Sequence, residues 1–273
     1  MTPPITFTLD LEDHRPNTDA PIRYPAVTRT LLAKLADVDV LGTVFVVGEL
    51  AMDCPELVSE VASLGHEVAL HGLRHVPLTE IEPRAFSEQV KEGKARLEEI
   101  AGREVVGFRA PMFSLVRESR WAVDGLLDAG FAYSSSVLPA RSPLFGEPTF
   151  PAQPFCWTGG LVELPCPVAR VGPAKVPFLG GVYLRALPWW LVRTFLGRRH
   201  DDETLWTYCH PYDFDPDEPF WVVPEAGRVG SRLLWYGRRR AFDRIAALLE
   251  GRSGGPLSVR AAALAPTLPT FVS

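Results

Sequence analysis

The sequence has little cysteine, no long uncharged apolar run and no excess of basic residues. None of its four cysteines forms a C-x-x-C pair, which argues against a zinc ribbon or a thioredoxin-like redox site. The formal net charge is −5, so the basic field typical of nucleic-acid-binding proteins is missing and we predict no nucleic-acid partner. No segment reaches the roughly 20 uncharged apolar residues of a membrane-spanning helix, and the N-terminus lacks a secretory pattern. We therefore predict a cytoplasmic protein.

The composition is that of a folded globular chain. Hydrophobic residues make up 47% of the 273 residues and charged residues 22%, which is enough apolar material for one large core. No linker, repeat or low-complexity segment divides the chain, so we predict a single domain over residues 1–273. Residues 139–177 contain nine prolines, and we predict an irregular insertion at 139–200.

Apolar strand patterns alternate with segments of helical periodicity along most of the chain. This alternation is typical of right-handed βαβ units, and it predicts an α/β fold with a parallel sheet that forms a closed or nearly closed barrel. The predicted strands are 5–9, 43–47, 67–70, 105–108, 131–133, 161–164, 205–208 and 256–259. The predicted helices are 27–35, 55–65, 86–100, 121–129 and 239–250.

Carboxylates and histidines follow two of these strands. Asp10, Glu12 and Asp13 come directly after the first strand, where a metal ion or an arginine would compensate their charge, although a solvated loop is an equal alternative. His71 and His75 follow the third strand at a spacing that places both imidazoles on one side of a helical turn. Two imidazoles and one carboxylate form a three-ligand metal site with open positions, as in hydrolytic metal centres.

Two more strand ends carry polar side chains. Arg109 follows the fourth strand and would pair with a carboxylate at the barrel mouth, or form a surface salt bridge. His210 follows the seventh strand and is a candidate general acid or base, or a structural histidine. Catalytic residues of barrels collect at the strand ends, so the four positions together predict an active site.

The order of these motifs resembles the polysaccharide deacetylase family, also called the NodB-homology or carbohydrate esterase 4 family, and is most similar to its exopolysaccharide and exosortase-locus branch. The resemblance covers about residues 6–219. It is carried by Phe7–Asp13, Thr43–Gly48, His66–His75, Gly107–Pro111, Gly130–Ser136, Glu163–Pro165, Gly180–Arg185 and His210–Tyr212.

The resemblance implies a distorted (β/α)7 barrel and a metal-dependent hydrolase that removes the acetyl group from an N-acetylated sugar of a glycan or glycolipid. It implies that Asp10 is the general base, that Arg109 orients it and that His210 is the general acid. His71 and His75 would be metal ligands. We prefer Asp13 as the third ligand and keep Glu12 as the alternative. Zinc is the expected metal, with cobalt, nickel or iron as substitutes.

One departure from the family concerns the support of the acid histidine. Many members carry an aspartate where this chain has Ser134. We expect that Asp128 or Asp213 supports His210 instead. For the oxyanion we expect a backbone N–H of the Phe113–Ser114 loop.

Aromatic residues near the predicted mouth suggest a platform for a sugar ring, or a simple cover of the barrel end. The predicted substrate-binding residues are Pro111, Phe113, Tyr183, Trp189 and Tyr212. Trp189 and Trp190, close to three arginines, also suggest peripheral contact with a membrane. Five arginines within 228–240 are interpreted as a solvated face, with binding of an anionic glycan or phosphate as the alternative.

Two other functions remain open. One is the hydrolysis of a different non-peptide C–N bond on the same fold, and the other is a catalytically inactive barrel that binds glycans. Retention of all the polar positions favours the deacetylase.

Overall fold

The computed structural model describes residues 3–200, 203–224 and 226–272, which form a curled sheet surrounded by helices. The strands are β1 (Ile5–Leu11), β2 (Gly42–Val46), β3 (Glu67–Leu70), β4 (Gly107–Phe108), β5 (Tyr133–Ser134), β6 (Phe155–Trp157), β7 (Val162–Glu163), β8 (Val168–Val171), β9 (Ala174–Pro177), β10 (Leu205–Trp206) and β11 (Thr270–Phe271). The helices are α1 (Tyr24–Ala36), α2 (Gly48–Asp53), α3 (Pro55–Ser63), α4 (Pro83–Ala101), α5 (Ala122–Asp128), α6 (Gly181–Ala186), α7 (Trp189–Leu196), α8 (Gly227–Trp235), α9 (Ala241–Leu249) and α10 (Leu257–Leu264).

The main sheet has the strand order β10-β1-β2-β3-β4-β5-β7-β6-β11. The first seven strands of this order run parallel, whereas β6 is antiparallel to β7, and β11 pairs parallel with β6. All residues of β1 and β2 are buried, because helices cover the outer face and side chains fill the interior. The predicted α/β barrel of the deacetylase type is confirmed.

The helices follow from amphipathic periodicity and from prolines at their first turns. Helix α3 begins at Pro55 and buries Leu57, Val58 and Val61 at helical spacing. Such helices connect the carboxyl end of one strand to the amino end of the next. The carboxyl ends of the parallel strands therefore gather at one edge of the sheet.

The prediction of a last strand at 256–259 is wrong, because helix α10 begins at Leu257. Pro256 suits a position just before a helix, and the alanine-rich sequence that follows favours helix over strand. The N–H of Leu257 donates to Thr43 Oγ1, and the N–H of Ser258 donates to Glu67 Oε2. Helix α10 thus covers the amino ends of β2 and β3, opposite the polar strand ends.

The segment predicted as an irregular insertion at 139–200 contains strands β6 to β9 and helices α6 and α7. Strands β8 and β9 form a separate antiparallel hairpin. In the described residues no helix is long and apolar enough to cross a bilayer. The four cysteines are free. The cytoplasmic location and the single domain remain predictions.

Candidate active site

The polar residues singled out in the sequence meet at the carboxyl edge of the parallel sheet. Asp10 lies on β1, and Glu12 is the first residue after the end of this strand. His71 follows β3 and Arg109 follows β4, while His210 lies four residues after β10. Neighbouring parallel strands bring residues far apart in sequence into contact here, as in other barrel active sites.

Glu12, His71 and His75 form a group that fits a metal ion. One ligand atom from each residue lies within 4.8 Å of the others. His75 Nε2 is 2.7 Å from Glu12 Oε2, and the His71 and His75 rings are 5.2 Å apart. Gly72 has a φ of +77° and lets the chain turn directly after β3, where a Cβ would lie 2.8 Å from the Arg74 carbonyl oxygen.

The protonation states suit metal binding. Burial lowers the pKa of His71 to about 4, so this imidazole is neutral at pH 7 and able to donate a nitrogen lone pair. Its Nδ1 lies 2.9 Å from the Arg109 carbonyl oxygen, which leaves Nε2 for a metal. Burial would raise the pKa of Glu12, but His75 and His210 lower it far below its usual range. The carboxylate is therefore ionised.

The structure brings Glu12, and not Asp13, to the two histidines. Strand β1 continues to Leu11, so Asp10 and Glu12 project to the same side by strand alternation. The Asp13 carboxylate turns away and accepts a hydrogen bond from Arg15 Nε at 2.6 Å. The preference for Asp13 as the third ligand is corrected here, and Glu12 takes its place as the candidate.

Arg109 holds Asp10 at the centre of the site. Its side chain is fully buried, and Nη1 lies 2.5 Å from Asp10 Oδ1. The same nitrogen donates to Thr8 Oγ1 at 2.8 Å, and Nη2 donates to Ser135 Oγ at 3.0 Å. The guanidinium lies 3.9 Å from the ring centroid of Phe45. These contacts fix the arginine, which in turn fixes one carboxylate oxygen of Asp10.

The imidazole of His210 lies near two carboxylates of the site, those of Asp10 and Glu12. Its Nε2 lies 4.0 Å from Asp10 Oδ2 and 3.9 Å from Glu12 Oε1. Its Nδ1 lies 3.3 Å from Asp213 Oδ2, and its backbone N–H donates to the same oxygen at 2.8 Å. Burial would lower the pKa of His210, but Glu12, Asp213 and Asp10 together raise it to about 9. The imidazole is therefore protonated at pH 7.

Arg185 on α6 pairs with the Asp213 carboxylate that contacts His210. Its Nη2 lies 2.5 Å from Asp213 Oδ1, and its Nη1 donates to the carbonyl oxygens of Leu234 and Tyr236. Burial opposes ionisation of Asp213, but Arg185 and His210 lower its pKa to about 2. Gly181 leaves the room for this carboxylate, because a Cβ there would overlap it.

Family models match most of the chain in two parts. Residues 11–127 match the polysaccharide deacetylase family, and residues 135–254 match a domain of unknown function (DUF3473). The N-terminal part of the chain is therefore similar to the polysaccharide deacetylase family. The predicted resemblance is confirmed at this level, while its exopolysaccharide branch remains a prediction.

Individual relatives agree with this family. A chitooligosaccharide deacetylase from Rhizobium leguminosarum bv. trifolii is 40% identical over 68 residues, which span 25% of this chain and 32% of that protein. A Mycobacterium smegmatis protein assigned to the polysaccharide deacetylases is 24% identical, with a TM-score of 0.60 over 92% of this chain and 82% of its own. An allantoinase is 14% identical, with a TM-score of 0.61 over 98% and 91% of the two chains. At these identities the structural likeness shows the fold alone.

Ser134, which stands where many polysaccharide deacetylases have an aspartate, takes part in a hydrogen-bond network with the loop after β4. Ser134 Oγ donates to Ser136 Oγ at 2.8 Å, and Ser136 Oγ accepts the backbone N–H of Ala110. Ser134 therefore helps to shape the loop after β4. Of the two aspartates expected to support His210, Asp213 occupies that place and Asp128 is exposed on α5.

The predicted substrate-binding residues divide into two groups. Phe113 lies with its ring 5.2 Å from that of Tyr208, and the Tyr183 ring is 6.5 Å from Tyr208. Tyr212 stacks on His210 at 4.7 Å. Phe113, Tyr183 and Tyr212 are half-buried near the polar strand ends, a region that we call the mouth of the site, and Pro111 is buried in the loop after β4.

Trp189 is placed differently. It lies on α7, packs against the core and has the Arg244 guanidinium 6.0 Å from its ring. In the described residues it forms no aromatic pair with the rings of the mouth. The prediction that it binds substrate has no support in this geometry.

The expected oxyanion donor is not free. The N–H of Phe113 donates to the Ala110 carbonyl oxygen, and the N–H of Ser114 donates to that of Pro111, each at 3.1 Å.

Met112 and Phe113 both have positive φ values, 56° and 54°. Two consecutive non-glycine residues in this region are strained, and such strain is common at functional loops.

The sequence analysis missed two aromatic residues next to the site, one half-buried and one fully buried. Tyr208 lies between Phe113 and Tyr183, and the buried Trp206 has its ring centroid 4.3 Å from the Arg109 guanidinium. Both lie in the predicted strand 205–208, where alternation places positions 206 and 208 on the same face. Since His210 continues that alternation, the pattern would have indicated both aromatic residues.

Proposed function

We propose that this chain is a metal-dependent N-deacetylase that hydrolyses the acetamide of an N-acetylated sugar in a polysaccharide, oligosaccharide or glycolipid precursor. The observation that carries the proposal is the grouping of Glu12, His71 and His75 next to a buried carboxylate, Asp10, and the imidazole of His210. The match of residues 11–127 to the polysaccharide deacetylase family supports it.

The three candidate ligands fit a divalent metal such as zinc, because two imidazoles and one carboxylate are a common zinc donor set. Cobalt, nickel or iron would fit the same donors. A metal held there would lower the pKa of a coordinated water and polarise the acetamide carbonyl group.

Asp10 acts as the general base. Its Oδ1 is held by Arg109, while Oδ2 points to the side where His210 lies. Oδ2 accepts a proton from the attacking water, and the arginine prevents the carboxylate from rotating away. The Asp10 side chain is 4% exposed, so bulk water does not compete for it.

His210 acts as the general acid. Asp213 holds Nδ1, and Nε2 is directed towards Asp10 and Glu12. The proton on Nε2 is therefore the one transferred to the departing amine nitrogen. The rings of Phe113, Tyr183 and Tyr212 form the apolar wall against which a sugar ring packs.

The test is acetate release from N-acetylchitooligosaccharides by the purified full chain supplied with one equivalent of zinc. Asp10→Asn should lower kcat by about 10²–10⁴-fold, the usual contribution of general base catalysis. Asp13→Asn is the matched control, since it removes a nearby carboxylate that pairs with Arg15, and it should retain activity.

Two outcomes contradict the proposal. Equal activity of Asp10→Asn and wild type would remove the assigned base. Glycan binding without acetate release by the zinc-, cobalt- or nickel-supplied wild type would favour the inactive glycan-binding barrel. Hydrolysis of small cyclic ureides or imides but not of acetamido sugars would favour another C–N bond.

A further inference from the structure

Helix α8 and the residues next to it present a surface with several exposed apolar side chains at the edge of the mouth. Val229 is 82% exposed and Leu233 is 47% exposed, and they lie four residues apart on the outer side of the helix. Ser231 is buried on the inner side. We call this surface the α8 face; its exposed apolar residues are Phe220, Val222, Val229, Leu233 and Tyr236.

Arginines surround the apolar residues of the α8 face. The chain as a whole carries a net charge of −5, yet residues 226–242 contain five arginines and no acidic residue. Arg238 is buried and pairs with Glu218, but Arg228, Arg232, Arg239 and Arg240 are exposed. In the part of the chain that the structure describes, none of these four has an ion-pair partner.

A cleft at the C-terminal end of α8 adds a place for an anionic group. It has a volume of about 300 Å³ and is lined by Pro216, Trp235, Gly237, Arg238, Arg239 and Arg240. Two exposed guanidinium groups next to a tryptophan ring fit a phosphate group attached to an apolar molecule.

The α8 face adjoins the catalytic mouth through a series of aromatic contacts. The Trp235 ring on α8 is 5.7 Å from His14, and His14 is 4.2 Å from Tyr212. Tyr212 stacks on His210. A partner on the α8 face would therefore sit beside the entrance to the site.

We propose that the α8 face docks on the surface of an anionic lipid bilayer. Exposed apolar residues beside exposed arginines are the combination that binds such surfaces, because the apolar side chains enter the interface while the arginines meet the phosphates. A second copy of the chain is a poorer partner, since an isologous contact would place four arginines against four arginines. An anionic polysaccharide would satisfy the arginines but leave Val229 and Leu233 in water.

The test is co-sedimentation of the full chain with vesicles, without substrate, so it does not depend on the proposed deacetylase activity. Wild type should sediment with vesicles of phosphatidylglycerol and phosphatidylcholine, and not with phosphatidylcholine alone. Arg228→Gln/Arg232→Gln should lower the partition coefficient about 25-fold, since each basic residue contributes about fivefold at an anionic surface. Val229→Gln/Leu233→Gln should also lower it.

Matched controls test whether binding depends on the α8 face or on any exposed arginine or valine of the chain. Arg141→Gln/Arg170→Gln removes two exposed arginines outside α8 and should bind as wild type. Val259→Gln changes an exposed valine on α10 and should also bind as wild type. Circular dichroism of every variant confirms that the fold is retained.

Four results would overturn the proposal. The first is that wild type stays in the supernatant with anionic vesicles at low salt, and the second is that the two controls lose as much binding as the α8 variants. A concentration-dependent dimer that disappears in Val229→Gln/Leu233→Gln, with no vesicle binding, would make the α8 face a contact between copies. Binding of a soluble polyanion such as alginate in place of vesicles would make it a glycan site.

Discussion

Replacing Asp213 by asparagine should make His210 a weaker base and shift the pH profile of the reaction. Asp213 Oδ2 lies 3.3 Å from His210 Nδ1 and accepts its backbone N–H. The carboxylate helps to raise the pKa of His210 to about 9, because it stabilises the imidazolium form. Without that negative charge the pKa falls. The general acid then loses its proton at lower pH, so the alkaline limb of kcat/KM moves to lower pH.

The size of the shift follows from the contacts. A hydrogen bond to a charged group contributes about 1.5–3 kcal/mol, and about 1.4 kcal/mol corresponds to one pKa unit. We therefore expect the alkaline limb to move down by about 1–2 pH units. Arg185 acts in the same direction, because its charge is no longer neutralised in the variant and it disfavours the imidazolium.

The assay is the pH dependence of kcat/KM for acetate release by wild type, Asp213→Asn and Asp215→Asn. Asp215 provides the matched control, since it lies two residues away but pairs with Arg23 at 2.6 Å. Thermal unfolding of each variant reports the cost of breaking a buried ion pair. The reasoning is refuted if the alkaline limb of Asp213→Asn stays in place or moves up, or if Asp215→Asn shifts it equally.

Three further predictions follow from the same geometry. Glu12→Gln should lose bound zinc while Asp13→Asn retains it, as measured by elemental analysis after gel filtration; the reverse result would restore Asp13 as the ligand. Gly181→Ala should lower the free energy of unfolding by about 1–3 kcal/mol, because its Cβ overlaps the carboxylate that supports the acid histidine, whereas Gly197→Ala on the surface should cost less in urea unfolding. Burial raises the pKa of Glu67, so the stability that it contributes is present below its unfolded pKa and is lost as the pH rises through the folded pKa. Glu67→Gln should therefore flatten the fall in Tm above about pH 4.3; an unchanged slope would contradict this.

The sequence predicted the sheet well where strands are long or fully buried. Strands β1, β2 and β3 show apolar runs that differ clearly from the helices between them. Strands β6 and β11 have only three and two residues, and their pairing joins segments more than a hundred positions apart. So short a strand leaves no periodic pattern, and its existence depends on contacts that the sequence does not display.

The candidate site was predictable as a set of strand ends but not in its finest detail. Asp10, Arg109 and His210 lie together because parallel strands end at one edge, which the alternation of strands and helices already implied. The choice between Glu12 and Asp13 depended on whether strand β1 ends at Asp10 or continues to Leu11. A strand that ended at Asp10 would have left Asp13 free to turn inwards, whereas a strand that continues to Leu11 fixes Glu12 on the side of Asp10.

The support of His210 shows how a local contact can replace a distant one. Asp213 lies three residues after His210, at the end of a single helical turn that begins at Pro211. This turn lets one carboxylate oxygen meet both the backbone N–H and the Nδ1 of the histidine. Its other oxygen needs a cation, which Arg185 supplies. A carboxylate placed this way requires no aspartate at position 134, so the serine there is compatible with a protonated His210 and gives no reason to regard the site as inactive.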